Sequence, residues 1–303
     1  MTKNTVATIT ATSVADPTKT AKATVTISTA TDPAVSLELL SPPTGSHEPY
    51  YDDVQKYLLN NPVLAGVNFF LEWGSVDRGL GANPRYDFSA FDKQIAPWIA
   101  AGKRVNVIVW AVSDDVTNTA TPQQMNNLGP SNITTCAGEE IPNYFQAAFQ
   151  LPYQDFQAHA VSHFSGNGSI GYIRFGLGRG GETFPARDFG ADPCTNTFIK
   201  QWGWSDTNWL NYVTAMLNHE ATLPSPKQLM VGITGLPNQT ISVPPAEAAA
   251  AVSLHIGFGN QGFSSSDIAN FPVCASNWCD LFAQYGKVPL ELQTFGLRLV
   301  AGI

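Results

Sequence analysis

The sequence predicts an α/β protein of the (β/α)8 TIM-barrel class, breaking off after its seventh strand and preceded by an N-terminal β-hairpin. Three observations lead there. Apolar strand-like runs alternate with helix-like segments from residue 33 onward, as a parallel sheet with outer helices requires. The stretch GYIRFGLGRGGETFP at 171–185 reads as a buried strand running into a glycine-rich turn that ends in an acid, Glu182. Strand interiors tolerate few glycines, so Gly176, Gly178, Gly180 and Gly181 together point to close approach by another backbone or a ligand. Third, GLGRGG does not open a helix: Glu182 and Pro185 follow where one would begin, which argues against a dinucleotide-binding fold.

The elements follow in order. Residues 6–13 and 21–28 alternate apolar and small polar side chains as strands do, with Asp16-Pro17 and Thr18-Lys19 between them as a turn. Strand candidates of the main domain are 35–40, 66–73, 104–112, 171–177, 228–234, 253–258 and 288–294. Between them, 52–60, 88–101, 152–165, 206–220 and 245–252 read as helices, and 267–286 as a helix with a cysteine loop. A long Thr-, Asn-, Pro- and Gly-rich loop runs to about Pro142. Residues 295–303 leave no room for an ordinary helix and an eighth strand. The expectation is therefore an open barrel edge, covered by the hairpin or by a second copy of the chain in a homodimer.

Composition narrows the function. Hydrophobic residues make up 44% of the chain and charged residues 13%, so a sizeable core is affordable and disorder is excluded. The net charge is −8, and Lys and Arg are scattered, which argues against nucleic acid as a partner. No apolar run is long enough to span a membrane. Seven Trp, nine Tyr and seventeen Phe supply stacking surface for a neutral partner such as a glycan. Cys136, Cys194, Cys274 and Cys279 form no CxxC motif with a nearby His; they are either bridged on loops, as in an exported protein, or reduced. The N-terminus MTKNTVATIT lacks a signal-peptide pattern. His159 and His163 are spaced i,i+4 on a helix expected to lie outside the barrel, which favours a surface pair over a metal site. No metal or cofactor is expected, and no Gly-x-Ser-x-Gly elbow is present.

Barrel enzymes place their chemistry at the C-terminal ends of strands. On that rule the candidates are Glu72 and Trp73 on strand two, Trp110 and Asp114 on strand three, Glu182 on strand four, and Glu291 with Gln293 on strand seven. Glycoside hydrolysis needs one protonated carboxyl and one ionised carboxylate across the scissile bond. Glu182, in a glycine-lined aromatic setting that would raise its pKa, is the expected acid. Glu291 lies between Leu290 and Leu292 and so points away from both, into the barrel. There it is either the second catalytic carboxylate or half of a structural pair with Arg174. Phe184, Trp202, Trp204 and His255 complete the candidate substrate-binding set, the aromatic residues as sugar platforms.

Two resemblances sharpen this. ITATSVADPTKTAKATVTIS resembles the last hairpin of a bacterial immunoglobulin-like repeat, which divides the chain into 1–32 and a barrel at 33–303. GVNFFLEWGSVDRG, NPRYDFSAFDKQI and AGKRVNVIVW resemble the strand-two to strand-three unit of clan A glycoside hydrolases of β-galactosidase and β-amylase type, Tyr86-Asp87-Phe88-Ser89 opening the helix. GLGRGGETFP resembles the GLGPAGE segment of β-amylases, whose glutamate is the general acid; the position corresponds to Glu182, and strand seven to Glu291. Gly181 stands where most retaining members of the clan carry Asn, which leaves retaining and inverting chemistry both open. The resemblance implies a secreted or cell-surface bacterial glycosidase acting on a neutral polysaccharide, a β-glucan by preference. The alternative is a non-catalytic carbohydrate-binding protein on a degenerate barrel.

Overall fold

The computed structural model describes residues 5–12, 18, 20–27, 38–40, 49–113, 120–126, 133–134, 140–186, 189, 193, 197, 200–234, 243–263 and 287–294. The chain divides into two compact units, Met1–Leu37 and Glu38–Ile303. In the first, β1 (Thr5–Thr12) and β2 (Thr20–Ile27) form an antiparallel hairpin, with Thr5 opposite Ile27 and Thr12 opposite Thr20.

The second unit is a curled parallel sheet with helices on one face. Its strands are β3 (Glu38–Leu40), β4 (Gly66–Glu72), β5 (Arg104–Trp110), β8 (Ile170–Phe175), β9 (Gln228–Gly232), β10 (Gly257–Phe263) and β11 (Leu290–Thr294). They lie in chain order across one sheet of seven strands, every pair parallel. That order, with helices between strands, is the (β/α) barrel arrangement. A short pair, β6 (Ile133–Thr134) and β7 (Glu140–Ile141), sits in the long connection after β5.

The helices are α1 (Pro49–Asn60), α2 (Trp73–Val76), α3 (Ser89–Ala100), α4 (Gln123–Asn126), α5 (Ala147–Ser165), α6 (Asp206–Thr222) and α7 (Val243–Ser253). Local chemistry places their ends. Asp87 Oδ1 accepts the Ser89 amide at 3.0 Å as α3 opens, and Ser205 Oγ accepts the Asn208 amide at 3.0 Å as α6 opens. Helix α5 begins five residues before Pro152, so that proline sits inside the helix rather than at its start.

Strand alternation separates two environments. Val67, Phe69 and Leu71, Val105, Val107 and Val109, Ile173 and Phe175, and Leu229 and Val231 join the helices in one apolar core. The intervening residues face the barrel interior and are largely polar. At its lower end Asn106 Nδ2 donates to Asn68 Oδ1 at 2.8 Å and also to Glu38, and the Tyr172 hydroxyl donates to Asn68 Oδ1 at 2.8 Å.

The sixth barrel strand departs from its expected place. Helix α7 continues through Ser253, and β10 begins at Gly257 rather than at 253. All four cysteines, Cys136, Cys194, Cys274 and Cys279, lie outside the described residues, as do segments 267–286 and 295–303.

Candidate active site

One register line crosses the inner face of the barrel near the strands' C-terminal ends. Glu72 on β4 is level with Trp110 on β5, and continuing the pairing brings in Gly176, Gly232 on β9, Gly259 on β10 and Glu291 on β11. Three glycines in succession empty this layer between Trp110 and Glu291. The space is taken by the hairpin at 178–184 that follows β8. A Cβ on Gly176 would overlap Gly181 Cα, and one on Gly232 would meet Gly181 O at 2.5 Å and Glu182 Cα at 3.2 Å. Of the glycines that the sequence marks for close approach, Gly176 and Gly178 receive another backbone, Gly181 lies against the Trp110 side chain, and Gly180 has nothing within 4 Å of its Cβ position.

The hairpin is tied down along its length. Gly178 N donates to Glu182 O at 2.6 Å, Arg179 N to Phe184 O at 2.6 Å, Gly180 N to Val112 O at 3.1 Å and Thr183 N to Gly232 O at 2.8 Å. Gly181 has φ +77°, and a Cβ there would also strike the Trp110 ring, so position 181 admits only glycine. An Asn at position 181 would meet both that backbone strain and the Trp110 ring.

Glu182 is thereby delivered to the barrel mouth. The residue is half-buried, and its Oε1 is enclosed with no hydrogen-bond partner among the described residues. Burial pushes its carboxyl up from an ordinary 4.5 to about 7, against the opposing charges of Arg174 and Arg179. Arg174, fully buried on β8, donates from Nη1 to Glu291 Oε2 at 2.8 Å. Its Nε and Nη2 are buried without a partner among the described residues. A Cβ on Gly259 would meet Glu291 Oε2 at 2.8 Å and Arg174 Nη1 at 3.0 Å, so that glycine makes room for the pair. Glu182 thus carries one enclosed acceptor and Arg174 two enclosed donors. Each such group costs about 1–3 kcal/mol when left unpaired.

Of the other candidates, Glu72 is half-buried at the end of β4 and shares the register line. Trp110 is half-buried on the inner face and packs on Phe70, with ring centroids 4.6 Å apart. Phe70 is an inner-face aromatic that alternation along GVNFFLE marks and that the sequence-based set omits. Gln293 pairs in register with Gln261, and its side chain, like Asp114, lies outside the described residues.

Four candidates are corrected. Trp73 is fully buried, because the chain turns into α2 at that residue and sends the ring outward against Phe149, Tyr153 and Phe156 of α5. Trp202 and Trp204 are buried too, packed with Tyr144, Phe145, Phe189 and Trp209 in the outer core, so neither offers a free face. His255 lies in the turn before β10, exposed, with φ 58°. Its carbonyl accepts from Gln228 at the first residue of β9, so it sits at the strands' N-terminal end, opposite Glu182. Phe184 is half-buried against the outer core, edge-on to Phe189 with centroids 6.4 Å apart.

His159 and His163 engage separate partners, the Asp155 carbonyl at 2.8 Å and Asp92 Oδ1 at 2.9 Å. Among the described residues no group of His, Cys, Asp and Glu is arranged to hold a metal ion. No described helix is long and apolar enough to cross a membrane.

Solved structures share this architecture. The catalytic domain of a β-amylase from Paenibacillus polymyxa superposes with a TM-score of 0.57 at 12% identity, over 86% of this chain and 92% of that one. A β-galactosidase from the psychrophilic Marinomonas ef1 gives 0.49 at 8% identity, over 80% of this chain and 42% of that one. A thermostable mutant xylanase from Cellvibrio japonicus gives 0.46 at 13%, over 85% and 68%. At these identities the likeness to the β-amylase domain establishes the barrel fold. No protein-family model matches the sequence, and no curated protein matches it.

Proposed function

We propose that the protein is a glycoside hydrolase of the barrel type, acting on a neutral polysaccharide, with Glu182 as general acid and Glu291 as nucleophile or base. The single observation that carries this reading is Glu182: a carboxyl with a pKa of about 7, its Oε1 enclosed without a partner among the described residues, in the hairpin that follows the C-terminal end of a barrel strand. A carboxyl in that state holds a proton near neutral pH and can give it to a departing glycosidic oxygen. Glu291 supplies the second carboxyl that hydrolysis needs. Its Oε2 accepts from Arg174 Nη1 at 2.8 Å, which fixes its position on the inner face for attack on an anomeric carbon or activation of water. Arg174 binds one carboxylate directly and acts on the other through its charge, so both acids belong to one electrostatic site. Glu72, Trp110 and Phe70 line the same inner face and are the residues proposed to contact the sugar.

The test is Glu182→Gln against a panel of neutral glucans, β-linked and starch-type. Loss of turnover on the order of 10²–10⁴-fold is the expected outcome. Turnover equal to wild type would remove the acid assignment, and glycan binding with no turnover in the wild type would assign the barrel to carbohydrate binding instead. Following the anomer released by the active enzyme would separate retention from inversion.

A further inference from the structure

Next to the acid, Thr183 points the other way, out of the barrel, and meets a carboxyl that the proposed chemistry does not use. Thr183 is fully buried, and its hydroxyl donates to Glu247 Oε2 at 2.9 Å. Glu247 comes from the alanine-rich helix α7 and is itself fully buried. Its other oxygen, Oε1, accepts from Trp209 Nε1 of α6 at 3.0 Å. The Thr183 hydroxyl in turn accepts the Thr234 amide at 3.3 Å, while the Thr183 amide donates to Gly232 O. The residue after Glu182 is therefore gripped from β9, from α7 and, through the carboxyl, from α6. A buried acid is expensive to keep unless it has such a duty.

We propose that Glu247 is a positioning residue, holding the 178–184 hairpin through Thr183 so that Glu182 stays enclosed in the barrel mouth. The proposal rests on the reading of Glu182 as the proton donor. The bond does not depend on the charge of Glu247: ionised, it accepts from the threonine hydroxyl, and protonated, it can donate to it. The charged groups facing Glu182 are Arg174 from β8 and Arg179 from the hairpin, with Glu291 of β11 joined to Arg174. Loosening the hairpin admits water to Glu182, which lowers the raised pKa of its carboxyl.

The experiment compares Thr183→Val, Thr183→Ser and Glu247→Gln in the full chain. Two readouts are used: the pH profile of kcat and KM on whichever glucan is turned over, and the titration of the Glu182 carboxyl by 13C NMR, assigned with Glu182→Gln. Thr183→Val and Glu247→Gln should lower kcat on the order of 10–100-fold with KM little changed, the scale of a small displacement of a catalytic group. They should also move the alkaline limb of the profile and the Glu182 titration to lower pH, while Thr183→Ser, which keeps the hydroxyl, should restore both. Unchanged kcat and unchanged Glu182 titration in Thr183→Val would overturn the proposal. So would equal losses in the Ser and Val variants. Should Glu247→Gln fail to fold, the Thr183→Val and Thr183→Ser variants decide alone. If the wild type turns over no glucan, the hydrolase reading fails, yet the NMR titration still decides whether Thr183 and Glu247 enclose Glu182.

Discussion

Glu182 combines a chemical asset with a penalty to folding. Its folded pKa of about 7 lies above its ordinary 4.5, so the folded state binds this proton more tightly than the unfolded chain does. The stabilising contribution is complete below pH 4.5 and is lost as the pH rises through 7, a difference of about 3 kcal/mol. Glu182→Gln should therefore raise the melting temperature at pH 8 and leave it nearly unchanged at pH 4.5, even as it removes activity; thermal melts at the two pH values check this. For the wild type, kcat should fall as pH rises past 7, because the donor has lost its proton. Arg174 behaves in the opposite sense. Replacing it by Met leaves Glu291 in the interior without its countercharge, and a loss of about 3–5 kcal/mol in denaturant unfolding is expected. The hairpin position of Glu182 was readable from the glycine-rich run before it, and the inward direction of Glu291, which meets Arg174, from its apolar neighbours. The tryptophans were not. Trp73 follows an apolar strand directly, and nothing in the local pattern shows that the backbone turns into α2 there and swings the ring into the aromatic cluster of α5.

At the scale of elements, the strand–hairpin unit from β8 to Phe184 is shaped by side chains that are missing. Gly176→Ala should displace the hairpin or destabilise the fold by about 1–3 kcal/mol, since the added methyl would overlap Gly181. Melting temperature and activity should fall together. The glycine cluster signalled a close approach, and its counterpart proved to be the hairpin's own backbone together with Gly232 of β9. The start of β10 was misread for a local reason. SLHIGF looks continuous as a strand, but α7 runs through Ser253 and His255 makes the left-handed turn between them. Glu247 was hidden for a different reason. An acid within PPAEAAAA reads as the solvent face of a helix, and only the packing of α7 against Thr183 and Trp209 reveals otherwise.

For the whole molecule, Glu182, Glu220 and Glu247 share one property. Burial raises each carboxyl, Glu247 to about 8 and Glu220 well above its ordinary value despite a bond from Gln157. Each folded pKa exceeds the unfolded one, so the three together make stability decline as pH climbs from about 5 toward 9. Urea unfolding across that range should show the decline, flattened in Glu182→Gln. The barrel order was legible because alternation between helix and strand periods survives without knowledge of contacts. Since every described carboxylate candidate belongs to the unit at Glu38–Ile303, removal of residues 1–37 should leave kcat within about twofold of the intact chain, as kinetics on the shortened protein would show.

The row Gly176, Gly232 and Gly259 bears on how such a chain can change over time. These positions touch no sugar in the proposed reading, yet backbone of the hairpin already fills the volume a Cβ would take at Gly176 and Gly232, and the Arg174–Glu291 pair crowds it at Gly259. Saturation mutagenesis should find Gly176 and Gly232 as intolerant as the two acids themselves, and a lineage that lets a methyl in at either forfeits the seat of its proton donor while keeping its barrel.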